Sequence, residues 1–321
     1  MKLRKLGKQG LEVSEIGLGC MGMDHGYGQS VSREEMIQLI HKAIALGCNL
    51  FDTAPIYGFE NEELLGAALN GYKENTIIAT KFGVTGMDNI NGQLTPLLNS
   101  TPESIREQLE GSLKRLQVDC LDLFYQHRID PNVEPEVIAG VMSELIAEGK
   151  IKYWGLSNSP VEYIRRAHAV CPVTAVEDQY SMMWRKPENE LFKVCEELGI
   201  GFMAYSPLGN GFLSGKITTE TKYQDGDFRG FMGRFKPEVI EHNQALLDLI
   251  AKVAEKNMAT SAQIVLAWEL AQKPYIVPLP GTTKLHRLEE NLNATNVQLS
   301  NEELAEINEA LSKIDIDETF F

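Results

Sequence analysis

Four side chains with complementary proton chemistry stand at the ends of short apolar runs: Asp52 and Tyr57 in GCNLFDTAPIYG, Lys81 in TIIATKFG, and His127 in CLDLFYQHR. A phenol ordinarily titrates at about pH 10, and a neighbouring ammonium favours its ionised form. Lys81 beside Tyr57 is therefore expected to make the phenol a better acid at neutral pH. Asp52 would hold Lys81 charged and in place. An imidazole such as His127 can donate a hydrogen bond to an oxygen on which negative charge develops, the usual task of preorganised donors. The chemistry open to such a group is proton delivery to a carbonyl oxygen. Taken singly, each residue has a structural explanation: Asp52 capping a turn, Tyr57 packing, Lys81 snorkelling from a strand end, His127 as a satisfied core imidazole. At the ends of successive strands they make a site, because catalysis in α/β barrels draws on several strand C-termini.

The elements that must position these residues follow from periodicity. Gly47 suits the left-handed residue after a helix, and Asn49, Leu50 and Phe51 then read as a strand with Asp52 and Tyr57 beyond it. Ahead of it, KLRKLGKQGLEVSEIGLGCMG reads as a hairpin turning at Gly7 to Gly10, then an apolar segment around Ile16 to Gly19. A capping box of Ser32 and Glu35 opens a helix whose apolar face is Met36, Leu39, Ile40, Ala43 and Ile44. The alternation continues: helix Glu62 to Leu69; a strand ending at Lys81; a helix from Thr101 and Pro102 through Leu116; a strand ending near His127; a helix from Pro135 to Ile146. Then come IKYWGLS, a helix around Val161 to Ala169, TAVEDQY, a helix around Glu188 to Leu198, and GIGFMAYS. Pro207 to Phe235 is glycine-rich and aperiodic, a functional loop on the strand C-terminal side. A helix from Pro237 to about Glu255 and another capped by Thr260 and Gln263 precede the eighth strand, YIVPLPG, which leads into a helix around Leu285 to Ala294. A last helix, capped by Ser300 with Glu303, carries Leu304, Ile307, Leu311 and Ile314. Eight strand and helix units with short connections predict an α/β fold, a (β/α)8 TIM barrel with an N-terminal β-hairpin and two extra helices, in a single domain over residues 1–321.

Composition narrows the classes. The 321 residues are 43% hydrophobic and 23% charged, and no apolar run approaches the roughly 18 residues of a membrane span. MKLRKLGKQG has no apolar stretch behind its charges, so a cytoplasmic protein is expected. The net charge of -15 disfavours nucleic acid or an anionic membrane as partner, so an anionic ligand would need a local basic cluster. Cys20, Cys48, Cys120, Cys171 and Cys195 are odd in number, widely spaced and free of any CxxC pair, which argues against a disulfide framework or a zinc cluster. Gly17-Leu18-Gly19-Cys20-Met21-Gly22 matches GxGxxG, the fingerprint of an open dinucleotide-binding sheet. The fingerprint needs a helix beginning at the glycines, yet the cap is Ser32, beyond MDHGYGQ, and no ribose-binding acid stands around Leu39 to His41. These glycines read as a strand-to-loop turn.

Over nearly its whole length the chain resembles the aldo-keto reductase family: GCNLFDTAPIYG is similar to the family's first signature, and ATKFG, DLFYQHRID, GLSN, AYSPLGNG and PGTTKLHRLEEN to later blocks in the same order. The resemblance implies NADPH-dependent reduction of aldehydes or ketones. Tyr57 would be the general acid, Lys81 and Asp52 would tune it, and His127 would orient the carbonyl. It further implies that Asn158 and Gln179, with Ser157 nearby, hold the carboxamide and that Tyr205 stacks on the nicotinamide. Ser206, Leu208, Gly209 and Gly211 would line the pyrophosphate, and the segment from Gly281 the adenosine. Lys284 and Arg287, three apart on one helical face, could clamp a 2′-phosphate, with Glu290 and Asn291 available to the adenine. Relatives with a similar end often carry two adjacent basic residues where this chain has Thr283 and Lys284. Met21, Met23, Tyr27, Phe82, Trp184 and Phe212 are candidates for the wall of an apolar substrate pocket.

Two other classes fit the same residues. A regulatory protein resembling the potassium-channel β-subunits would keep the fold and cofactor and use the nucleotide as a signal. A barrel lyase or aldolase would form a Schiff base on Lys81, which the neighbouring Asp52 opposes by keeping the amine protonated.

Overall fold

The computed structural model describes residues 1–24, 26–28, 31–90 and 93–320. His25 and Gln29 of the MDHGYGQ segment lie outside the described residues. Strands β1 (Leu3–Leu6) and β2 (Leu11–Ser14) pair antiparallel as the opening hairpin. Eight parallel strands follow in one sheet: β3 (Leu18–Gly19), β4 (Leu50–Asp52) and β5 (Ile77–Phe82), then, past a second hairpin of β6 (Val84–Ile90) and β7 (Gln93–Leu98), β8 (Leu121–Gln126), β9 (Ile151–Ser157), β10 (Ala175–Gln179), β11 (Gly201–Tyr205) and β12 (Ile276–Leu279). The two ends of the sheet meet: Gly17 N–H donates to Pro278 O at 3.0 Å and Gly19 N–H to Pro280 O at 3.3 Å, with a parallel bridge between Gly19 and Gly281. The sheet is thus a barrel.

The helices form the outer ring. In order they are α1 (Arg33–Ala45), α2 (Phe59–Ala68), α3 (Pro102–Leu116), α4 (Pro135–Ala147), α5 (Val161–Val170), α6 (Leu191–Leu198), α7 (Pro237–His242), α8 (Gln244–Lys256), α9 (Ser261–Gln272), α10 (Leu285–Leu292) and α11 (Asn301–Lys313). Capping boxes close the starts of α1, α9 and α11, where a Ser or Thr side chain and the Glu or Gln three residues on satisfy each other's backbone N–H. Residues 17–22 form β3 and a short 3-10 turn, with α1 beginning only at Arg33, so the GxGxxG match is a strand-to-loop turn.

Period-two alternation sets what the barrel contains. Leu50, Ala79, Leu123, Tyr125, Ala175, Met203 and Val277 point inward and pack on Leu6, Leu11 and Val13 of the hairpin, which closes the N-terminal end. Arg4 fastens it there, donating to the carbonyls of Leu270, Lys273 and Ile276 at 2.8–2.9 Å. Two residues beyond the inward apolar positions stand Asp52, Lys81, His127, Glu177 and Tyr205. The apolar layer therefore forms the base on which the polar layer rests at the C-terminal end.

Two elements differ from the sequence expectation. The β6–β7 hairpin occupies a stretch with no element assigned to it; its signal is the Asn91-Gly92 pair between two short runs, a dipeptide outside the described residues. The helix expected from Pro237 to Glu255 is two helices, broken at Asn243. Its fully buried side chain exchanges two 3.0 Å hydrogen bonds with the backbone of Asp317 in the C-terminal tail.

Candidate active site

Asp52 ends β4, and Tyr57 follows on a 3-10 turn of Pro55–Tyr57, where Pro55 presets the backbone and Gly58 at φ 111 turns the chain into α2. Asn61 of α2 locks this corner: its amide donates to Cys20 O at 3.0 Å, and Thr53 Oγ1 donates to its Oδ1 at 2.6 Å. Lys81 on β5 is 1% exposed, and its Nζ donates to Asp52 Oδ1 at 2.5 Å and Thr53 O at 3.1 Å. The same Nζ lies 5.5 Å from the Tyr57 ring centroid. His127 continues from β8, its N–H bonded to Phe82 O at 2.8 Å, and its ring meets that of Tyr57 edge to face with centroids 6.0 Å apart. All four predicted residues are thus brought together. Glu177 of β10 joins them, 3.5 Å from Lys81 Nζ and almost fully buried.

The electrostatics depart from the simplest expectation. Burial opposes a charged Lys81, but Asp52, then Glu177 and Tyr57, outweigh it and hold the ammonium above the ordinary lysine range. Burial pushes the Tyr57 phenol up; Lys81 opposes this, while Asp52 and Glu177 add to it, so the phenol is a weaker acid than a free tyrosine rather than a stronger one. Tyr57 therefore carries its proton at every physiological pH. Burial, then Lys81 and Arg128, drive His127 well below the ordinary imidazole range, so the ring is neutral, with one N–H to give.

Above this cluster opens a cavity of about 1030 Å³. Asp52, Tyr57, His127 and Glu177 form part of its wall, as do Ser157, Tyr205, Ser206, Leu208 and Gly211 on one side and Gly281, Thr283, Lys284, Arg287 and Asn291 on another. Glycine is needed where the backbone comes close or turns left-handed. A Cβ on Gly281 would meet Gly19 O at 3.0 Å, and Gly209 and Gly211 have φ of 57 and 98. Lys216, Lys222 and Arg229 also face the cavity, and Arg234 is buried behind Asn210 with its Nη1 on Asn210 Oδ1 at 3.1 Å. Arg234 Nε and Nη2 have no hydrogen-bond partner among the described residues, which leaves donors for an acceptor absent from the chain itself. Across the mouth, residue 27 bridges residue 227, Phe228 N–H donates to Gly26 O at 2.9 Å, and the Tyr27 and Phe228 rings contact edge to face at 4.7 Å. Size, cations and glycine-lined turns fit an extended anionic ligand.

Several expected residues stand behind the cavity lining rather than on it. Asn158, at φ 52, points its Oδ1 to the Tyr205 hydroxyl at 2.8 Å and lies off the cavity wall. Gln179 is buried beside the wall rather than in it, two residues past Glu177, and its Nε2 has no partner among the described residues. Gly209 turns the chain behind the lining, and Glu290 is engaged by Arg287 at 3.3 Å. Of the proposed substrate-pocket residues, Met21 and Tyr27 line the cavity, whereas Met23, Phe82 and Phe212 are in the core and Trp184 packs under Lys186. Glu177 is the residue that sequence reasoning missed; its signal is a carboxylate two positions after inward-facing Ala175.

Residues 15–312 match the family model described as the aldo/keto reductase family. A soybean (Glycine max) protein named probable aldo-keto reductase 1 is 42% identical over 96% of this chain and 88% of its own length. Among solved structures, the glycerol dehydrogenase of Gluconobacter oxydans superposes with a TM-score of 0.87 at 26% identity, covering 99% of this chain and 98% of the other. An aldo-keto reductase of Bacillus halodurans in its holo form superposes with a TM-score of 0.77 at 26% identity over the same shares.

Proposed function

The chain belongs to the aldo/keto reductase family, and on that premise we propose that it is a single-domain, NADPH-dependent reductase of aldehydes or ketones. The observation that carries this reading is the Lys81 ammonium 2.5 Å from Asp52 and 5.5 Å from the Tyr57 ring, with Tyr57 and His127 on the cavity wall. Bound NADPH would supply the hydride to the carbonyl carbon. Tyr57 donates its proton to the carbonyl oxygen, and Lys81 faces the phenolate left behind. Neutral His127 donates a hydrogen bond to the same oxygen and orients it. Asp52 holds Lys81 protonated, which also disfavours Schiff-base chemistry on that amine. Ser157, Asn158 and Gln179 would hold the carboxamide, Tyr205 the ring, Ser206, Leu208, Gly209 and Gly211 the pyrophosphate. Gly281, Thr283, Lys284, Arg287, Glu290 and Asn291 would hold the adenosine and its 2′-phosphate.

Tyr57→Phe keeps the ring and deletes the proton. Single-turnover reduction of a panel of aldehydes and ketones with saturating NADPH should slow by about 10² to 10⁴-fold, the usual contribution of a positioned general acid. Cofactor binding, followed by fluorescence, should be retained. A wild-type rate in this variant would remove Tyr57 from the role, and tight NADPH binding without turnover of any carbonyl by the unmodified protein would favour the regulatory reading instead.

A further inference from the structure

Two carboxyls share one ammonium at the base of the cavity. Lys81 Nζ lies 2.5 Å from Asp52 Oδ1 and 3.5 Å from Glu177 Oε1, and none of the three residues is more than 5% exposed. No N–H or hydroxyl of another described residue reaches Asp52 Oδ2 or Glu177 Oε2. Were both carboxyls ionised, each a pure acceptor, these two buried oxygens would face each other's charge with no donor between them. One of them holds a proton. Charge balance favours the same, since Lys81 is the one cation in ion-pair contact with the two carboxyls, Arg128 facing Glu177 from beyond that distance, and a second carboxylate would be a buried charge without a partner of its own. Asp52 makes the shorter contact with Lys81, so the proton belongs on Glu177.

We propose that Glu177 is a positioning residue for the reduction described above, a neutral acid that braces Asp52 against Lys81 and keeps the charge beside Tyr57 balanced. Once ionised, it opposes the negative charge that remains on Tyr57 after the phenol proton passes to the carbonyl oxygen. Glu177 itself loses no proton during turnover. The groups facing it are Asp52 and Tyr57 after β4, Lys81 on β5, Tyr125 and Arg128 at the end of β8, and Tyr205 on β11. Burial and then Asp52 push Glu177 up to about 8, with Lys81 and Arg128 opposing. Burial pushes Tyr57, Tyr125 and Tyr205 above the ordinary phenol range, His127 below the imidazole range, and the neighbouring Asp178 only up to about 6. An alkaline transition centred near 8 is therefore assigned to Glu177.

The inference rests on the reductase reading, so its test has a second arm that needs no turnover. Glu177→Gln is isosteric and permanently neutral. In single-turnover reduction, each enzyme normalised to its own maximum, the wild type should lose about tenfold in rate between about pH 7 and pH 9.5, and E177Q less than about twofold. Glu177→Asp should keep an alkaline limb. Infrared difference spectra of the cofactor-free proteins should contain a neutral carboxylic-acid band that bleaches through about pH 8 in the wild type and is missing in E177Q. The same alkaline limb in wild type and E177Q, or persistence of the titrating band in E177Q, overturns the proposal. If E177Q does not fold, a wild-type band that fails to titrate between about pH 7 and 9, or is unshifted in E177D, overturns it equally. A wild type that reduces no carbonyl while the Glu177 band titrates as described would defeat the reductase reading and leave the protonated pair standing.

Discussion

Arg287 has a partner before any phosphate arrives: its Nη1 is 3.3 Å from Glu290 Oε2, three residues on along α10. That contact is long and partly exposed, so it costs a stronger anion little to displace. A 2′-phosphate offers charge-assisted bonds of about 1.5–3 kcal/mol, so Arg287→Ala should weaken NADPH binding by roughly ten- to a hundredfold. NADH, lacking that phosphate, should be nearly unaffected, and titration of both nucleotides checks it; equal losses would place the phosphate elsewhere. At this scale the sequence was legible wherever chemistry coincided with a strand end. Asp52, Lys81 and His127 were visible because each closes an apolar run. Glu177 was not, because it lies within its strand, where VEDQY offers three polar residues in succession and only the inward parity set by Ala175 distinguishes the one that meets Lys81.

Elements carry costs that single residues do not reveal. Glu269 sits fully buried on α9 with neither carboxyl oxygen partnered among the described residues, and burial holds its carboxyl well above the ordinary value of 4.5. The folded protein thus keeps a proton that the unfolded chain releases. Stability from this group is full below 4.5 and is lost as pH rises from there toward the folded titration. Glu269→Met, similar in size and uncharged, should raise the melting temperature by at least about 3 °C at pH 8 and flatten its decline with pH, as read by scanning calorimetry. An unchanged slope of melting temperature against pH would mean that another group sets it. The caps at Ser32, Thr101, Thr260 and Ser300 were legible because they are local in sequence. The break at Asn243 was not, since its partner is Asp317, far along the chain. Nor is the closure of the barrel by Gly17 and Gly19 against β12 written in any local window.

The whole molecule presents an electrostatic contradiction that an experiment can resolve by sign. Its net charge is -15, and a field of that sign repels an anionic ligand. Yet Lys216, Lys222, Arg229, Lys284 and Arg287 all face one cavity. Arg229 is paired with Asp227 at 2.6 Å and Arg287 more loosely with Glu290 at 3.3 Å, so the lysines supply most of the positive potential there. Screening acts over about 10 Å at 0.1 M salt, so salt removes the distant repulsion and the local attraction together, and the larger of the two decides the net effect. Cavity walls of low dielectric focus the field of nearby charges, which gives the local cluster the advantage. NADPH affinity should therefore fall by about tenfold as sodium chloride rises from about 0.05 M to 0.5 M, and NADH affinity by less, since it brings fewer charges. Fluorescence titration at fixed pH measures both. Were NADPH to bind more tightly as salt increases, the acidic surface would govern the approach of the ligand, and the basic wall of the cavity would not be the phosphate site.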